Sequence, residues 1–508
     1  MILLAVVLVA LTASAQTLNL TIGNVTYQFP ASQTGTMTFS GGNTVTIMGK
    51  AFKLSDVSSI IVDNSEVTDG TVGVVYDGSS AKVYVAGNIA QYVSPTIRGA
   101  HVSIDQSSSV NEEITYTLSG SSSDGEFYTT GSYKATVELN GLTLTNSSPI
   151  YSGAAISIMN GKRIKVKVVT GTTNTLVDAA SGSQKGCFYI KGHAEFAQKG
   201  TLNVMGNVKH AIKAGEYFTI KNATINVTSA VGDGINCSQF FLVESGEINI
   251  SGVEDDGIQC DLEGDKSTGE TTDHEDEDTG NIYINGGTIN VNCPATKSEG
   301  IQCEGSIKIT DGQITVNSYD DGINAGGDIT ISGGYVYARS TNNDGIDANG
   351  NCYIKDGVIY AIGAGDPEMA IDANSEQQKK LYVQGGTIIA VGGLERGASI
   401  SGGTCKYTTS WAENSWHALY NGGSLVLAFK TPNKSSSGGG PGGPGGGNYQ
   451  QLIVYTSSTP TMESGVSVSG GTAYFGGMAN VGGSVSGGSA VNLSTYTGSS
   501  GGPRSRFR

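Results

Sequence analysis

Apolar and polar residues alternate over short stretches of this chain, and one such stretch returns at nearly constant spacing. The stretch YDDGINAGG at 319–327 is one copy, in which an isoleucine follows two acidic residues and a glycine. Successive anchor isoleucines lie 22 to 25 residues apart, except for one step of 43. An insertion of about 20 residues explains the long step. The anchors are Ile212, Ile235, Ile258, Ile301, Ile323, Ile346 and Ile371.

Each repeat also has the same apolar interior. After Ile323, apolar residues follow at distances of 6, 8 and 13 positions, and these are Ile329, Ile331 and Val336. With a glycine-containing turn before the last of them, this spacing predicts three short strands and no helix, which is typical of one coil of a parallel β-helix. Such a coil buries its inward side chains only by stacking on the next. With Phe188 as an earlier anchor, the eight coils predict a rod about 40 Å long.

Short β patterns also flank the repeat, so the predicted fold class is all-β. An apolar run that ends in small residues before Gln16 predicts a signal peptide, and hence a secreted or cell-surface protein. A Gly/Pro-rich insertion at 435–448 interrupts the C-terminal strands. The predicted regions are a signal peptide (1–15), a small N-terminal β module (16–110), a cap with the first irregular coils (111–187), the regular parallel β-helix (188–400) and a C-terminal β region (401–508).

The chain has 508 residues and a net charge of −16. This acidity argues against nucleic acid and anionic membranes as partners. It favours cations, or a polysaccharide that is held through cations. After the N-terminal apolar run, no stretch is long enough to span a bilayer, so membrane insertion is not expected.

Stacking turns each position of the repeat into a row of equivalent side chains, one from each coil. Two residues before the anchor lies an acidic row, which we call the acid ladder: Asp233, Asp256, Glu299, Asp321 and Asp344. The row one residue after the anchor consists of Lys213, Asn236, Gln259, Gln302, Asn324, Asp347 and Asp372. Asp255 and Asp320 directly precede the ladder in two copies. The degenerate copies KHAIKA at 209–214 and EMAIDA at 368–373 lack the ladder acid.

Two interpretations of the acid ladder follow from its chemistry. In the first, Asp-Gly is a turn dipeptide in which the carboxylate caps local backbone N–H groups and the glycine adopts a positive φ. In the second, a bound cation offsets the repulsion between carboxylates about 4.8 Å apart. That repulsion is about 3 kcal/mol per pair at an effective dielectric constant near 20, and about 1 kcal/mol in water. A site built from hard oxygen ligands favours calcium over a transition metal.

The candidate calcium ligands are the acids in and beside the ladder. They are Asp233, Asp255, Asp256, Glu299, Asp320, Asp321, Asp344 and Asp347. The insertion at 260–281 contains nine carboxylates and one lysine, and its Asp261 and Glu263 form a candidate second locus. A solvated acidic loop is the alternative interpretation of this insertion.

Amide and aromatic side chains of the repeat are candidates for contacts with a carbohydrate. The amides are Asn236, Gln259, Gln302 and Asn324, and the tyrosines are Tyr335, Tyr337 and Tyr353. A tyrosine on a flat sheet can stack its ring on a pyranose and offer its hydroxyl at the rim. Ordinary packing between strands is the alternative interpretation of these tyrosines.

The seven cysteines contain no CxxC pair and therefore give no zinc motif. Cys237, Cys260 and Cys303 share one position of the repeat. Stacked parallel Cβ atoms are somewhat far apart for an unstrained disulfide, so a stack of buried thiols is predicted.

No catalytic residue is predicted. A calcium-dependent lyase acting on a uronate needs a Lys or Arg near the cation to abstract a proton. Lys213, Lys297 and Arg339 are the candidates for that role. None of them recurs from copy to copy of the repeat, which favours binding over cleavage.

Six segments carry a family resemblance: EEITYTLSG, NGLTLTN, GAAISIMNGKR, the DGI repeats followed by INGGTINV, the GGPGG insertion and VSVSGGTAYFGG. Over about 111–495 the chain resembles a secreted bacterial carbohydrate-binding-domain family. This resemblance implies a right-handed parallel β-helix like that of pectate lyases, calcium held by acids of the DGI repeats, and association with cellulose or polygalacturonate. It also implies a binding protein rather than a lyase. A pectate-type lyase and a structural or adhesion protein of the cell surface remain the alternatives.

Overall fold

The protein is described here from a computed structural model, which covers residues 16–262, 277–365, 368–433 and 451–498. Nearly all of the regular structure in these ranges is β. No helix in the same ranges is long and apolar enough to cross a membrane. The predicted signal peptide at 1–15 and the Gly/Pro-rich insertion at 435–448 lie outside the described residues.

The strands and the 3₁₀ helices fall into three groups along the chain. The N-terminal group is β1 (Thr17–Ile22), β2 (Val25–Pro30), β3 (Thr38–Ser40), β4 (Thr44–Ile47), β5 (Lys50–Lys53), β6 (Ser59–Asp63), β7 (Thr71–Asp77), β8 (Ser80–Ala86), a 3₁₀ helix (Gly87–Ile89) and β9 (Val93–Arg98). The solenoid group is β10 (Ala100–Gln106), β11 (Ile114–Ser122), β12 (Gly125–Thr130), β13 (Ala135–Thr145), β14 (Ile156–Ile158), β15 (Ile164–Val168), β16 (Thr173–Val177), β17 (Gly186–Ile190), β18 (Ala194–Ala197), β19 (Thr201–Gly206), β20 (His210–Ala214), β21 (Phe218–Lys221), β22 (Thr224–Ala230), β23 (Ile235–Ser238), β24 (Phe240–Val243), β25 (Glu247–Ser251), β26 (Ile258–Asp261), β27 (Asn281–Cys293), β28 (Ile301–Cys303), β29 (Ile307–Ser318), β30 (Ile323–Ala325), β31 (Ile329–Ser340), β32 (Ile346–Ala348), β33 (Cys352–Ile362), β34 (Ile371–Ala373), a 3₁₀ helix (Ser375–Gln377), β35 (Leu381–Val383) and β36 (Thr387–Val391). The C-terminal group is β37 (Ser399–Ile400), β38 (Thr404–Thr408), β39 (Trp416–Asn421), β40 (Ser424–Lys430), β41 (Leu452–Thr456), β42 (Pro460–Ser469), β43 (Thr472–Tyr474), a 3₁₀ helix (Phe475–Gly477), β44 (Ala479–Val481), β45 (Ser484–Ala490) and β46 (Ser494–Thr495).

One side of the solenoid is a sheet whose strands carry the anchor isoleucines. Ile323 in β30 pairs with Ile301 in β28 on one side and with Ile346 in β32 on the other. The same parallel register continues through the other anchors, and Ile258 pairs directly with Ile301. The step of 43 residues is therefore an insertion that leaves the stack between β26 and β27. The parallel β-helix predicted from the repeat is confirmed.

The solenoid begins earlier than the repeat indicates. It has about 11 coils over residues 100–391, whereas the repeat predicts eight coils from Phe188 onwards. Phe188 pairs with Ile156, and Ile156 pairs with Phe127. One coil further, Phe127 pairs with Val102. None of these earlier anchors directly follows an Asp-Gly pair, and they lie 25 to 32 residues apart, so the repeat does not reveal them.

The other two sides of a coil often share one continuous strand, whereas the sequence pattern predicts a separate short strand for each side. In four coils of the Asp-Gly-Ile repeat one long strand, such as β31, runs along both sides in place of two short strands, and β11 and β13 do the same in earlier coils. A register shift between Ser332 and Tyr335 marks the corner within β31, where Gly334 has a φ of 80°. Glycine adopts this conformation without the strain that a Cβ would cause. The predicted interior residues on these sides, including Ile331 and Val336, are fully buried.

The glycine of the Asp-Gly-Ile motif allows the backbones of neighbouring coils to approach each other closely. No positive φ occurs at the five motif glycines, which are Gly234, Gly257, Gly300, Gly322 and Gly345. A Cβ on Gly300 would lie 2.0 Å from Val316 Cγ1 and 2.4 Å from the carbonyl oxygen of Gly322 in the next coil. The positive φ predicted from the turn motif was wrong, because stacking against the next coil determines the backbone conformation here.

The cysteines of the repeat form a column inside the solenoid. Cys237 pairs in register with Cys260, and Cys260 pairs in register with Cys303. All seven cysteines of the chain are buried free thiols. The predicted stack of buried thiols is confirmed, and the coils are held together by packing and hydrogen bonds rather than by disulfides.

The thiols are expected to react with a chromogenic disulfide reagent only after the protein is denatured. Burial raises the pKa values of Cys293 and Cys303 to about 12, so neither burial nor ionisation favours reaction in the folded state. Titration of unreduced protein in denaturant should give seven thiols, against fewer than one in the native protein. Fewer than seven thiols in the denatured, unreduced protein would reveal disulfides and contradict this expectation.

Both ends of the solenoid continue into other β structure. At the N-terminal end, β7 pairs in parallel with β11 and so extends one of the solenoid sheets. At the other end, β36 pairs with the antiparallel strand β41. A separate six-stranded antiparallel sheet lies against the side of the last coils, where Phe475 contacts Tyr337 and Phe429 contacts Tyr360. These additions cover strand edges and side chains that a bare solenoid would expose.

Candidate metal and carbohydrate site

Hydrogen bonds between successive coils hold the acid ladder in place. Asp256 Oδ1 accepts a hydrogen bond of 2.7 Å from the backbone N–H of Glu299. Asp321 Oδ1 accepts one of 2.8 Å from the N–H of Asp344, and Asp344 Oδ1 accepts one from the N–H of Met369. One oxygen of each of these acids therefore caps the next coil, rather than the local N–H groups that a simple turn would present.

The second oxygen of the ladder acids is oriented by the amides that follow the anchors. Asn236 Nδ2 donates to Asp233 Oδ2 at 2.6 Å, and Asn324 Nδ2 donates to Asp321 Oδ2 at 3.1 Å. Both asparagines are candidate carbohydrate contacts by sequence. In the structure each uses a donor to position a carboxylate, which is a supporting role next to the acids.

Among the residues that the structure describes, two groups of three carboxylates have oxygens close enough together to share a cation. Within each group, one oxygen from every residue lies within 4.8 Å of the others. The first acidic group is Asp233, Asp255 and Asp256, and the second acidic group is Asp321, Asp344 and Asp347. All six are among the predicted calcium ligands. Four of them are no more than 8% exposed: Asp233, Asp256, Asp321 and Asp344.

Burial and mutual repulsion raise the pKa values of several of these acids. Burial, together with repulsion from neighbouring carboxylates, raises the pKa of Asp256 to about 8. Burial and then the charge of Asp320 raise the pKa of Glu299 to about 7. The pKa of Asp321 also lies well above its usual value, because of burial and the nearby Asp347. A cation among these oxygens would favour their charged forms and lower the pKa values again.

The coil between the two acidic groups contributes two oxygens that lack hydrogen-bond donors. Glu299 Oε2 and Gln302 Oε1 are buried and accept no hydrogen bond within the described part of the chain. A buried polar atom without a partner costs about 1–3 kcal/mol. A cation would satisfy both oxygens, since carboxylate and carboxamide oxygens are calcium ligands.

A second row of side chains caps successive coils without relying on charge. We call it the corner ladder, and it consists of Asn281, Ser306, Asp328 and Asn351. Asn281 Oδ1 accepts a hydrogen bond of 2.7 Å from the N–H of Ser306, and Ser306 Oγ accepts one of 3.0 Å from the N–H of Asp328. Three of its four members are neutral, so capping a coil does not require a carboxylate. The negative charge of the acid ladder therefore calls for a further explanation.

Two further predicted calcium ligands, Asp261 and Asp320, belong to neither acidic group, as is also true of Glu299. Gln259 Nε2 donates to Asp261 Oδ1 at 2.8 Å, and Lys213 Nζ lies 3.9 Å from Asp261 Oδ2. Among the described residues, neither acid joins an oxygen cluster of either group. Glu263, the other candidate in the acidic insertion, lies outside the described residues.

The structure adds a buried pair of acids at the C-terminal end of the ladder. Asp372 and Glu395 are 3% and 7% exposed. Burial, and then a hydrogen bond with Glu395, raise the pKa of Asp372 to about 11, so the pair holds a proton at neutral pH. Leu394 forms a parallel bridge with Ile371 and lies 23 residues after it. One further step of the repeat therefore leads to Glu395, although no Asp-Gly motif marks it.

The three candidate tyrosines have different surroundings. Tyr353 is partly exposed and stacks on Tyr382 of the next coil, with ring centroids 5.0 Å apart. Tyr335 stacks on Tyr474 of the C-terminal region at 4.1 Å. Tyr337 is only 2% exposed and offers no ring face to a sugar. The prediction that Tyr337 contacts a sugar was therefore wrong. In the repeat Tyr337 points outward from the solenoid, but the six-stranded C-terminal sheet covers this side.

A cavity of about 560 Å³ lies at the N-terminal end of the acid ladder. We call it the lysine pocket, because Lys185, Lys209 and Lys213 line it together with Asp255 of the first acidic group. Lys213 Nζ lies 2.5 Å from Asn236 Oδ1. Of the three basic residues considered for a lyase, Lys213 is the one that lines this pocket. The sequence patterns did not single out the other two lysines, because Lys185 lies before the first copy of the repeat and Lys209 lies in the degenerate copy KHAIKA, which lacks the ladder acid.

The chain is similar to a known protein family and to a solved structure. The sequence matches the profile of a family described as "Carbohydrate-binding domain-containing protein" over residues 104–366. The solved structure of the polysaccharide lyase-like protein from C. thermocellum, a gadolinium derivative, is similar at 19% sequence identity with a TM-score of 0.37. That similarity covers 57% of this chain and 96% of the other. No curated protein is significantly similar in sequence.

The family match includes every Asp-Gly-Ile copy of the repeat and the coils before them. It spans residues 104–366, which is more than half of the 508 residues. Both acidic groups and the lysine pocket lie within the matched part. The chain therefore belongs to the family of carbohydrate-binding domain-containing proteins.

Proposed function

We propose that this protein is an extracellular, non-catalytic binder of polysaccharide that uses calcium, with polygalacturonate and cellulose as the candidate ligands. The acid ladder carries the proposal, because it places buried carboxylates side by side although capping the coils does not require their charge. The apolar run at 1–15 supports an extracellular location, and the mature protein is expected to begin at Gln16.

Calcium suits these acids better than other common cations. It accepts six to eight oxygen ligands in a flexible arrangement, whereas magnesium demands a near-ideal octahedron. Each acidic group supplies three carboxylates, and Glu299 and Gln302 add oxygens in the coil between. The remaining coordination positions would be filled by water or by oxygens of a sugar. A bound sugar would in this way be linked directly to the protein's cation.

The family description supports carbohydrate as the ligand class. The flat sides of the solenoid also suit an extended polymer, because equivalent side chains repeat from coil to coil. Tyr353 and Tyr382 form such a pair, with nearly parallel rings at an angle of 7°. Partly exposed aromatic rings of this kind can stack on the apolar face of a pyranose.

The substitution Asp256→Asn tests whether the ladder acids hold calcium. The amide keeps an oxygen that can accept the N–H of Glu299, but it removes the charge beside Asp233 and Asp255. We expect calcium affinity to fall by about tenfold or more, because one charged ligand is lost. We also expect the variant to be more stable than the unchanged protein in EDTA at pH 8, because a buried charge is removed. Calorimetric calcium titration and thermal unfolding measure the two effects.

The matched control is Asp77→Asn, which changes the net charge equally at the exposed end of β7 in the N-terminal region. It should leave calcium affinity and stability unchanged. If Asp256→Asn binds calcium normally and is less stable in EDTA, the ladder acids are coil caps only. Polysaccharide retention is then tested by pull-down with polygalacturonate and cellulose, with calcium or EDTA. Retention in neither condition would leave a structural or adhesion role.

A calcium-dependent polysaccharide lyase is the second candidate, because Lys213 lines the pocket beside the first acidic group. Lys213 Nζ donates to Asn236 Oδ1 and lies 3.9 Å from Asp261 Oδ2, and these contacts favour a role in positioning over the role of a base. We expect no unsaturated product from polygalacturonate with calcium at alkaline pH. Sustained ultraviolet absorbance from such a product, abolished by Lys213→Ala, would replace the binding proposal by the lyase.

A further inference from the structure

We infer that the lysine pocket is a subsite for an anionic sugar, charged through a carboxylate or a sulfate ester, and that it favours such a polymer over a neutral one. The inference rests on the proposed function, because it places a charged unit of the polysaccharide beside the cation of the first acidic group. It also gives a role to the degenerate copy KHAIKA at 209–214, which has no ladder acid.

The sign of the charge reverses along one row of the solenoid at this pocket. Three residues before the anchor, the row reads Lys185 and Lys209 in two successive coils, and it reaches Asp255 two coils later. In the same degenerate copy, His210 takes the position of the ladder acid, and Lys213 takes a position that carries amides or acids in the copies that follow. The copy that departs from the repeat therefore places Lys209 and Lys213 at one end of the acid ladder.

Two of these lysines form no direct ion pair with a described residue, although the charge of Lys209 acts on Asp255 from a longer distance. Neither Lys185 nor Lys209 forms an ion pair with any acid in the described ranges of the chain. Their equivalent positions lie in adjacent coils, about 4.8 Å apart along the stack, so the two charges repel each other as the acids do. An anion between them removes the repulsion.

The pocket also suits a sugar in size and polarity. Its volume of about 560 Å³ falls within the range of small-molecule sites. The lining is polar, with Asn236 and Gln259 beside the lysines, and Asp255 connects the pocket to the first acidic group. A sugar carboxylate could thus contact a cation on one side and the lysines on the other. Asp255 and Asp261 would repel that anion without the cation, so binding requires calcium.

The test compares the double variant Lys185→Gln/Lys209→Gln with the control double variant Lys53→Gln/Lys82→Gln. The control lysines are exposed in the N-terminal region, so both variants lose two positive charges from exposed sites. Three polymers are titrated calorimetrically in the presence of saturating calcium. They are polygalacturonate, its methyl ester, which is neutral, and a sulfated galactan.

We expect the unchanged protein to bind the anionic polymers more tightly than the methyl ester. The pocket variant should lose about tenfold in affinity for the anionic polymers, because two exposed charge contacts together are worth about 1.4 kcal/mol. Its affinity for the methyl ester should not change. Tighter binding of polygalacturonate than of sulfated galactan identifies the carboxylate as the preferred charge, and the reverse order identifies the sulfate ester.

Two results would overturn the inference while leaving the proposed function intact. The first is equal binding of polygalacturonate and its methyl ester by the unchanged protein. The second is an equal loss in the pocket variant and the control, which would show only the effect of net charge. A protein that takes up no calcium and retains none of the three polymers would instead refute the proposed function itself.

Discussion

In the presence of EDTA, the protein is expected to lose stability as the pH rises from about 4 to about 8. The cause is Asp256, whose pKa is raised from 3.8 to about 8 by burial and by neighbouring acids. Between these two values the folded state binds more protons than the unfolded state, so the free energy of unfolding decreases with pH. One pKa unit corresponds to about 1.4 kcal/mol, so Asp256 alone accounts for roughly 5 kcal/mol over this interval.

Calcium is expected to remove most of this pH dependence. A cation bound by the first acidic group favours the ionised carboxylates and returns their pKa values towards the unfolded ones. Glu299, whose pKa is about 7, should contribute in the same direction. The unfolding temperature should therefore fall steeply between pH 4 and 8 in EDTA and only slightly in excess calcium.

Thermal unfolding followed by circular dichroism at several pH values, with EDTA or with calcium, measures the effect. Magnesium at the same concentration is the control for ionic strength and for unspecific screening of charge. A melting temperature in EDTA that rises from pH 4 to pH 8 would contradict the expectation. Such a result would mean that the ladder acids are stabilised as carboxylates by the protein alone.

The substitution Gly322→Ala is expected to destabilise the protein by about 3 kcal/mol, at the upper end of the range for overpacked cores. The added Cβ would lie 2.4 Å from the carbonyl oxygen of Gly345 and 3.2 Å from Ala338 Cβ. The carbonyl of Gly345 cannot move aside freely, because it accepts a hydrogen bond of 3.1 Å from the N–H of Ile323. The strain therefore acts on the contact between two coils.

The matched control for this substitution is Gly161→Ala. Gly161 also lacks a positive φ, but its added Cβ would approach no atom closer than 3.8 Å, at Lys191 Cε. The free energy of unfolding of the Gly161→Ala variant, measured in urea, should differ from that of the unchanged protein by less than about 0.5 kcal/mol. Equal losses in the two variants would show that close approach between coils is not the reason for the motif glycine.

The stacking of the solenoid could be predicted from sequence because each coil obeys the same local rule. A residue such as Ile323 has its neighbours one period away in the chain, so equal spacing implies direct contact in the fold. The cysteine column follows from the same reasoning. Irregular first coils were predicted within 111–187, where Phe127 lies, but the coil of Val102 before that range was missed, since these coils fill equivalent places with different residues and longer spacing.

The site was predictable in composition but not in arrangement. The repeat identifies the acids, yet it does not show that Asp256 caps Glu299 of the next coil or that Asp320 stands outside both acidic groups. The covering of Tyr337 depends on a region far along the chain, which no local pattern records. The lysine pocket was not predicted, because Lys209 and Lys213 belong to the degenerate copy at 209–214, and Lys185 lies in a coil without the motif.

The direct pairing of Ile258 with Ile301 has a consequence for how this kind of fold can diversify. The chain leaves the stack after β26 and returns at β27, and the coils on either side keep the same register. Stacking therefore does not constrain the length of a coil, as long as an inserted segment begins and ends at the same corner of the solenoid. A solenoid built in this way can acquire new segments beside an existing binding face while the face itself keeps its spacing.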